Sequence, residues 1–156
     1  KHKNLNMDSQ LTSGQQTLLE EALAAAKNAY TPYSSYQVGA AVETNTGNVF
    51  SGTAVENASY GMTICAEVSA ITAAVSDGHR DFSAIAIVGG YPDTTEHNFP
   101  TPCGRCRQII QEMNAISSSD ITIICSNLSM NDVALFSIDE LLPNAFGPSD
   151  LDCEKR

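Results

Sequence analysis

The sequence predicts a three-layer α/β/α sandwich built around one mixed β-sheet. A helix comes first, a β-hairpin follows, and helices and strands then alternate along the chain, which is the order expected when helices cover both faces of a sheet. Two continuous apolar runs, residues 84–89 and 121–125, are typical of strands that are buried on both faces. No repeat, linker or low-complexity run divides the sequence.

The length of the chain favours a single domain. A chain of 156 residues buries roughly 68–70% of the surface of its unfolded form, and apolar residues make up 42% of this one, which is enough for a core. We expect a flexible N-terminus over residues 1–12, one domain over 13–148 and a C-terminal tail over 149–156. Met7 is a candidate native start, in which case residues 1–6 would be foreign to the protein.

The charge of the chain argues against a nucleic-acid partner. Eight Lys and Arg stand against 18 Asp and Glu, which gives a net charge of −10, and nucleic-acid binders need clustered basic residues. Charged residues make up 17% of the chain against roughly 25% in typical soluble proteins, which is consistent with surface hidden in an oligomer. No apolar run approaches the length that spans a bilayer, and the first residues lack the apolar region of a secretory signal, so we expect a cytoplasmic protein without membrane contact.

The first helix is predicted over residues 13–30. Ser13 and Gln16 fit a capping box, in which each side chain satisfies the free backbone N–H of the other residue. Thr31 and Pro32 would end the helix. Its apolar residues recur at helical spacing and form one face: Leu18, Leu19, Ala22, Leu23, Ala25, Ala26, Ala29 and Tyr30.

Five strands are predicted. The first two form a hairpin around the turn Asn45-Thr46-Gly47, and the third and fourth are the apolar runs named above. The predicted ranges are 37–43, 48–52, 84–89, 121–125 and 133–136.

Three further helices are predicted. The second covers residues 64–75 and is closed by Asp77-Gly78. Thr101-Pro102 would open the third, with Pro102 in the first helical position, where its missing N–H costs nothing. A short last helix covers 138–142 and is stopped by Pro143.

Three cysteines fall at the predicted starts of two helices. Cys65 opens the second helix, and Cys103 and Cys106 lie in the first turn of the third. A helix N-terminus stabilises a thiolate, because it carries a partial positive charge and free N–H groups. Three thiolates that meet there would bind a soft divalent metal, and we predict one zinc ion. Three protein ligands leave the fourth tetrahedral position to water, as in catalytic zinc sites.

Glu67 follows Cys65 by two residues and is placed to take a proton from a zinc-activated water. A Cys-x-Glu string together with Pro-Cys-x-x-Cys is the general pattern of zinc deaminases, which replace the amine on a ring carbon. One metal-binding alternative is a closed four-cysteine site that uses Cys125, although a thiol in an apolar strand is ordinarily a small core residue. The pair Cys103 and Cys106 could also form a disulfide. Cys153 is interpreted as a free thiol of the tail, and His79 and His97 as surface residues.

Four strings along the chain resemble the cytidine deaminase family of the small homotetrameric type. They are TPYSSYQVGAAV, VENASYGMTICAE, PCGRCRQII and ELLPNAFGPSDL, and the likeness covers nearly the whole chain. The resemblance implies hydrolysis of cytidine or deoxycytidine to the uridine counterpart and ammonia. It also implies zinc on Cys65, Cys103 and Cys106, with Glu67 as the residue that shuttles a proton to ring N3 and then to the leaving amine.

The same resemblance implies how the nucleoside is bound. The backbone N–H of Ala66 would meet the base oxygen, Tyr36 would pack by the base and Glu56 would hold the ribose 3′-hydroxyl. Phe146 and the loop with Tyr60 match segments that reach into a neighbouring subunit's site. Without the resemblance, Tyr36 and Phe146 would be interpreted as core aromatics, and Glu56 as a solvated carboxylate.

Two positions depart from the family pattern. Val68 stands where the family usually has an arginine that hydrogen-bonds the zinc thiolates, so compensation of their charge is left to the helix ends and to Arg105 or Arg107, of which we favour Arg107. Ala54 stands where the family usually has an asparagine of the sugar pocket. The lost amide contact is worth about 0.5–1.5 kcal/mol, which predicts a roomier pocket and a broader preference that includes modified cytosine nucleosides.

Two other functions remain open from the sequence. A deaminase of an aminoacylated cytosine nucleoside such as blasticidin S shares the PCGRCRQ string and also lacks the arginine after Glu67, whereas the strings ENASYG and AFGPSDL favour ordinary cytidine deaminases. In a non-catalytic zinc module, Cys125 would close the site and Glu67 would be incidental. Zinc coordination number and a Glu67→Gln variant separate these hypotheses.

Overall fold

The computed structural model describes residues 11–94 and 98–151. The predictions for residues 1–10 and 152–156, and those for His97 and Cys153, lie outside the described part of the chain. The elements follow one another in the order α1 (Ser13–Ala26), β1 (Gln37–Thr44), β2 (Val49–Thr53), α2 (Ala66–Ser76), β3 (Phe82–Gly90), α3 (Gly104–Ile116), β4 (Thr122–Asn127), β5 (Val133–Phe136) and α4 (Ile138–Leu141), with short 3₁₀ turns at Tyr60–Met62 and Pro148–Leu151.

The five strands form one mixed sheet in the order β2-β1-β3-β4-β5. Strands β3 and β4 are parallel, and the other three neighbouring pairs are antiparallel. Helix α3 connects the parallel pair, as a parallel connection requires. Each strand agrees with its predicted range to within two residues at either end.

Two apolar clusters cover the two faces of the sheet and confirm the predicted α/β/α sandwich. On one face, Leu18, Leu19 and Ala22 of α1 pack on Ala86 and Val88 of β3. On the other face lie α2, α3 and α4, whose buried members include Ala70, Ile110 and Leu141. Strand β3 contacts both helix layers, because successive side chains of a strand point to opposite faces of the sheet. Ala84, Ala86 and Val88 face α1, and Ile85 and Ile87 face the other layer.

Glycines allow the helices to approach the sheet closely. A Cβ on Gly39 would lie 2.2 Å from Ala22 O and Ala26 N of α1. A Cβ on Gly52 would lie 2.2 Å from Ala70 N of α2. Real Cβ atoms never come so near to backbone, so glycine at these two positions sets how closely both helices lie on the sheet.

Helix α1 begins at Ser13 as predicted, but its predicted cap and its predicted end are wrong. The helix is capped one residue earlier than predicted, by Thr12, which forms the capping box with Gln15 instead of Ser13 with Gln16. It ends at Ala26 instead of residue 30. The reason is tertiary, because the N–H of Tyr30 donates to Ala54 O and Tyr30 forms a bridge with Val55.

The predicted starts of α2 and α3 are too early. Ile64 is bridged to Val55 instead of being helical, and α2 begins at Ala66 with Cys65 as its N-cap. Pro102 does not occupy the first helical position, because Cys103 is the N-cap and α3 begins at Gly104. Among the described residues, no helix has the length and apolar character needed to cross a membrane.

Candidate metal centre and active site

Three thiols meet where the N-termini of α2 and α3 come together. Cys65 and Cys103 are the N-cap residues of these helices, and Cys106 lies in the first turn of α3, as the sequence predicts. Their Sγ atoms all lie within 4.8 Å of one another, and Cys103 Sγ is 3.5 Å from Cys106 Sγ. Tetrahedral zinc with Zn–S bonds of about 2.3 Å separates its sulfurs by roughly 3.8 Å. The cluster therefore fits zinc.

The thiols of the cluster are free and influence one another's protonation. A hydrogen bond from Cys106 lowers the pKa of Cys65, and the charge of Arg105 adds to this effect. The same hydrogen bond with Cys65, together with burial, raises the pKa of Cys106. A metal that binds all three thiolates displaces the protons that the thiols carry. The alternative of a disulfide between Cys103 and Cys106 is not realised.

Cys125 is a core residue and lies outside the thiol cluster. It belongs to β4 and is fully buried in the layer shared with α2 and α3. Burial raises its pKa, which disfavours the thiolate that a metal needs. The closed four-cysteine site is therefore not formed by the described residues.

Glu67 lies in the first turn of α2, two residues after Cys65, and only 5% of it is exposed. Burial raises the pKa of its carboxyl. A carboxyl whose pKa is raised towards neutrality can both take and return a proton, which is the property of a general acid and base. Its place beside the thiols agrees with the sequence prediction.

A pocket of about 350 Å³ opens on the thiol cluster. Its wall includes Cys65, Cys103 and Glu67, so the metal ligands and the buried carboxyl face one space. Four residues expected from the resemblance to bind substrate lie on the same wall: Tyr36, Ala54, Glu56 and Ala66. Sequence reasoning missed Ser34, Thr63 and Thr101 of this wall, although the first two stand in the matched strings.

Glu56 is fixed at the pocket wall by the loop before β1. Its Oε2 accepts the backbone N–H groups of Tyr33 at 2.9 Å and Ser34 at 3.3 Å. Hydrogen bonds from the Ser34 side chain and the Tyr33 backbone hold the pKa of Glu56 below its usual value, so it stays ionised. The loop turns through Ser35, whose φ of 58° is uncommon for a residue other than glycine.

Three aromatic side chains predicted for the site occupy different places. Tyr36 lines the pocket, and its ring meets the ring of Tyr91 edge to face at 4.9 Å. Tyr60 lines an adjoining hollow that shares Ser34, Glu56 and Thr63 with the pocket, and 76% of it is exposed. Phe146 is 58% exposed and lies outside the wall of its own chain's pocket. The structure thus places Tyr36 directly at the pocket and Tyr60 at its edge.

The expectation that Arg107 compensates the thiolate charge is not supported by its contacts. Its guanidinium hydrogen bonds in the described structure go to oxygen atoms, those of Pro102, Leu141 and Thr101, and none goes to a cysteine sulfur. Val68 is half-buried in the first turn of α2 and carries no polar group. The cluster lies at the N-termini of α2 and α3, whose partial positive charge favours thiolates, and the charge of the exposed Arg105 lowers the pKa of Cys65.

This arrangement defines an α/β/α zinc enzyme in which a buried carboxyl stands next to three thiols that can hold the metal. A family profile described as the cytidine and deoxycytidylate deaminase zinc-binding region matches residues 12–119. The chain belongs to this family, and its three-thiol cluster supports one zinc ion.

Relatives and solved structures agree with this assignment. The cytidine deaminase of Halalkalibacterium halodurans is 43% identical over 136 residues, which cover 87% of this chain and 96% of the relative. The crystal structure of cytidine deaminase from Burkholderia pseudomallei has a TM-score of 0.75 at 42% identity and covers 87% of this chain and all of the other. Blasticidin-S deaminase of Bacillus cereus is 39% identical over 80 residues, which cover 49% of this chain and 57% of that protein.

Proposed function

We propose that the protein deaminates cytidine and deoxycytidine, adding water and releasing ammonia to leave uridine and deoxyuridine. The observation that carries the proposal is the pocket in which Cys65, Cys103 and the buried Glu67 share one wall, with Cys106 completing the thiol cluster. The wall is made mainly of apolar surface with few polar groups, which suits a planar base. Relatives named cytidine deaminase match most of this chain and support the same substrate.

In the proposed mechanism, Cys65, Cys103 and Cys106 hold the metal. Zinc bound there would lower the pKa of a coordinated water to about 7 and so supply the nucleophile for the ring carbon that bears the amine. Glu67 takes one proton from the attacking water and passes it to ring N3, then takes the proton of the hydroxyl added to the ring carbon and gives it to the departing amine, which leaves as ammonia. Burial suits Glu67 to the first part of this work, because its raised pKa makes the carboxylate a stronger base towards the attacking water.

The other residues of the wall orient the nucleoside. The backbone N–H of Ala66 lies at the start of α2, where helix N–H groups lack intrahelical partners, and it would donate to the base oxygen. Tyr36 packs beside the base. Glu56 is ionised and held by the Tyr33 and Ser34 N–H groups, and it accepts a sugar hydroxyl.

Two residues of the site that depart from the family pattern, Ala54 and Val68, should change its properties. Ala54 lies on the pocket wall near Glu56 and offers only a methyl group to the sugar, so we propose that sugar-modified cytosine nucleosides are tolerated. Val68 leaves the thiolates without an arginine from α2, which should make a metal-activated water more basic.

Deamination of blasticidin S is the second candidate substrate activity. Its support is the likeness to blasticidin-S deaminase, which covers about half of this chain, whereas the likeness to cytidine deaminases covers 85–87% in several relatives. We therefore favour the unmodified nucleosides as substrates.

We also propose a homotetramer that works in pyrimidine salvage in the cytoplasm. Large apolar side chains of the hollow that adjoins the pocket are exposed, including Tyr33 and Tyr60, and a neighbouring copy would cover them. Four described cysteines are free thiols, a state that a reducing compartment maintains.

The test is ammonia release from cytidine, deoxycytidine and blasticidin S by zinc-loaded protein, with Glu67→Gln as the matched control. We expect turnover of the first two and loss of turnover in the variant. Turnover of blasticidin S alone would transfer the proposal to the second candidate. If none of the three substrates releases ammonia, the catalytic proposal is wrong.

A further inference from the structure

Arg107 contacts three consecutive residues of the loop that leads into α3. Its Nε donates to Pro102 O at 2.7 Å, and its Nη2 donates to Thr101 Oγ1 at 3.3 Å. Its backbone N–H donates to Cys103 O at 2.9 Å, which is the ordinary bond of the first helical turn. One side chain therefore holds the loop up to the residue that precedes a metal ligand.

The same guanidinium joins this loop to α4. Its Nη1 donates at 2.7 Å to the carbonyl of Leu141, the last residue of that helix. The final carbonyls of a helix have no partner within the helix, so Arg107 caps α4 while it holds the loop. The contact spans 34 residues of sequence.

The loop depends on such a contact. Cys103 is exposed and its side chain makes no capping hydrogen bond, whereas Cys106 is buried within α3. Pro102 has no N–H and is buried, so its carbonyl needs a partner that Arg107 provides. Without Arg107, the backbone that carries Cys103 would have more freedom than the helix that carries Cys106.

We propose that Arg107 is a positioning residue of the zinc site: it locks the Thr101–Cys103 loop to the end of α4 and so keeps Cys103 in place for joint ligation with Cys65 and Cys106. Its work is geometric instead of electrostatic, since within the described part of the chain its side-chain hydrogen bonds go to oxygen and none to sulfur. The inference rests on the zinc site of the proposed function, but it does not depend on which nucleoside is the substrate.

The planar fork of arginine is what the geometry requires. Three nitrogens point at three acceptors on two separate segments, and the rigid guanidinium presents them together. A lysine at this position would keep the positive charge but could not reach all three acceptors. Charge and geometry can therefore be separated by substitution.

The experiment measures zinc release from the holoprotein into an excess of chromophoric chelator. Arg107→Lys keeps the charge and loses the fork, Arg107→Gln loses both, and Arg105→Gln removes a charge from the same helical turn while leaving the loop contacts intact. We expect about tenfold to a hundredfold faster release from both Arg107 variants, the usual range for residues that orient metal ligands. Arg105→Gln reports the loss of a nearby positive charge alone, and we expect its release rate to rise less than that of either Arg107 variant.

Each other outcome overturns the proposal. If Arg107→Lys releases zinc at the original rate while both glutamine variants are faster, the role is electrostatic. Unchanged rates in all variants would show that the loop needs no clamp. Should the Arg107 variants not fold, Thr101→Val removes one contact alone, and the proposal then requires about threefold faster release from it. Because no substrate is present, the result stands apart from the assay of deamination.

Discussion

Glu56 and Tyr33 are joined by a hydrogen bond of 2.9 Å from a backbone N–H to a carboxylate oxygen, across 23 residues of sequence. Ser34 adds a second N–H to the same oxygen. The carboxylate is thus held by the backbone of the loop before β1, at the wall of the pocket that also contains Glu67. Glu56 is thus held in place by its own chain, as the role that we propose for it in binding a sugar hydroxyl requires.

We predict that Glu56→Gln impairs binding more than chemistry. The hydrogen bond of a sugar hydroxyl to a charged group is worth about 1.5–3 kcal/mol, so kcat/KM for cytidine should fall roughly tenfold to a hundredfold, mainly through KM. Asp81→Asn is a matched control, because Asp81 is also held by hydrogen bonds, from Ser118 and Asn45, yet lies outside the pocket wall. Steady-state kinetics of both variants checks this. A fall in kcat with unchanged KM in Glu56→Gln would contradict a role in sugar binding.

The lowered pKa of Glu56 predicts a pH dependence. Hydrogen bonds from Ser34 and Tyr33 lower its pKa in the folded state, so the stabilisation it gives is present above the unfolded value of about 4.3 and is lost as the pH falls through the folded value. Glu56 should therefore stay ionised between about pH 5 and 8, so that its titration does not change KM for cytidine in this range. The check is the KM profile of the unmodified protein against that of Glu56→Gln. An acidic rise in KM above pH 5 that disappears in the variant would contradict the ionised state.

The close approach of α1 to Gly39 predicts that alanine at this position destabilises the protein, whereas alanine at Gly14 does not. Alanine at Gly39 would place Cβ 2.2 Å from the backbone of α1, and we expect Gly39→Ala to lower the free energy of unfolding by about 3 kcal/mol, at the upper end of usual overpacking costs. Gly14→Ala is the control, because nothing lies within 4 Å of its Cβ and alanine favours a helix by about 1 kcal/mol. Urea denaturation of both variants measures the difference. Equal stability of the two variants would show that α1 does not lie as close to β1 as the structure has it.

The fold could be predicted because its strands are apolar runs and its helices have one apolar face. The thiol cluster could be predicted because Cys65, Cys103 and Cys106 fall close to the starts of two predicted helices, although the sequence places the first residues of both helices too early. The end of α1 could not be predicted in this way. A bridge between Tyr30 and Val55 replaces the last predicted turn of the helix, and these residues are far apart in sequence. Nor could the contacts of Arg107 be predicted, because its acceptors are mostly backbone carbonyls that leave no pattern in the sequence.

The backbone of Phe146 is hydrogen-bonded to α3, the helix that carries Cys103 and Cys106 at its N-terminal end. Gln108, the residue that follows Arg107 in α3, donates from Nε2 to Phe146 O at 2.9 Å. Arg107 itself donates to Leu141 O. The side chain of Phe146 is exposed and outside its own chain's pocket wall, which suits a role in a neighbouring subunit's site. Loss of one aromatic contact of about 0.5–1.5 kcal/mol predicts that Phe146→Ala lowers kcat/KM by roughly two- to tenfold.

Mixing two variants shows where Phe146 acts. In a hybrid of Phe146→Ala and Glu67→Gln chains, a site with intact Glu67 can receive Phe146 only from the other chain. We therefore predict that co-assembled hybrids are more active than the sum of the two parent activities, weighted by the share of each chain. We also predict that Gln108→Ala, which frees the Phe146 backbone, loses less activity than Phe146→Ala. Activity and mass of co-expressed, purified hybrids are the measurements. Hybrids whose activity equals the weighted sum of their parents would make Phe146 a residue of its own subunit only.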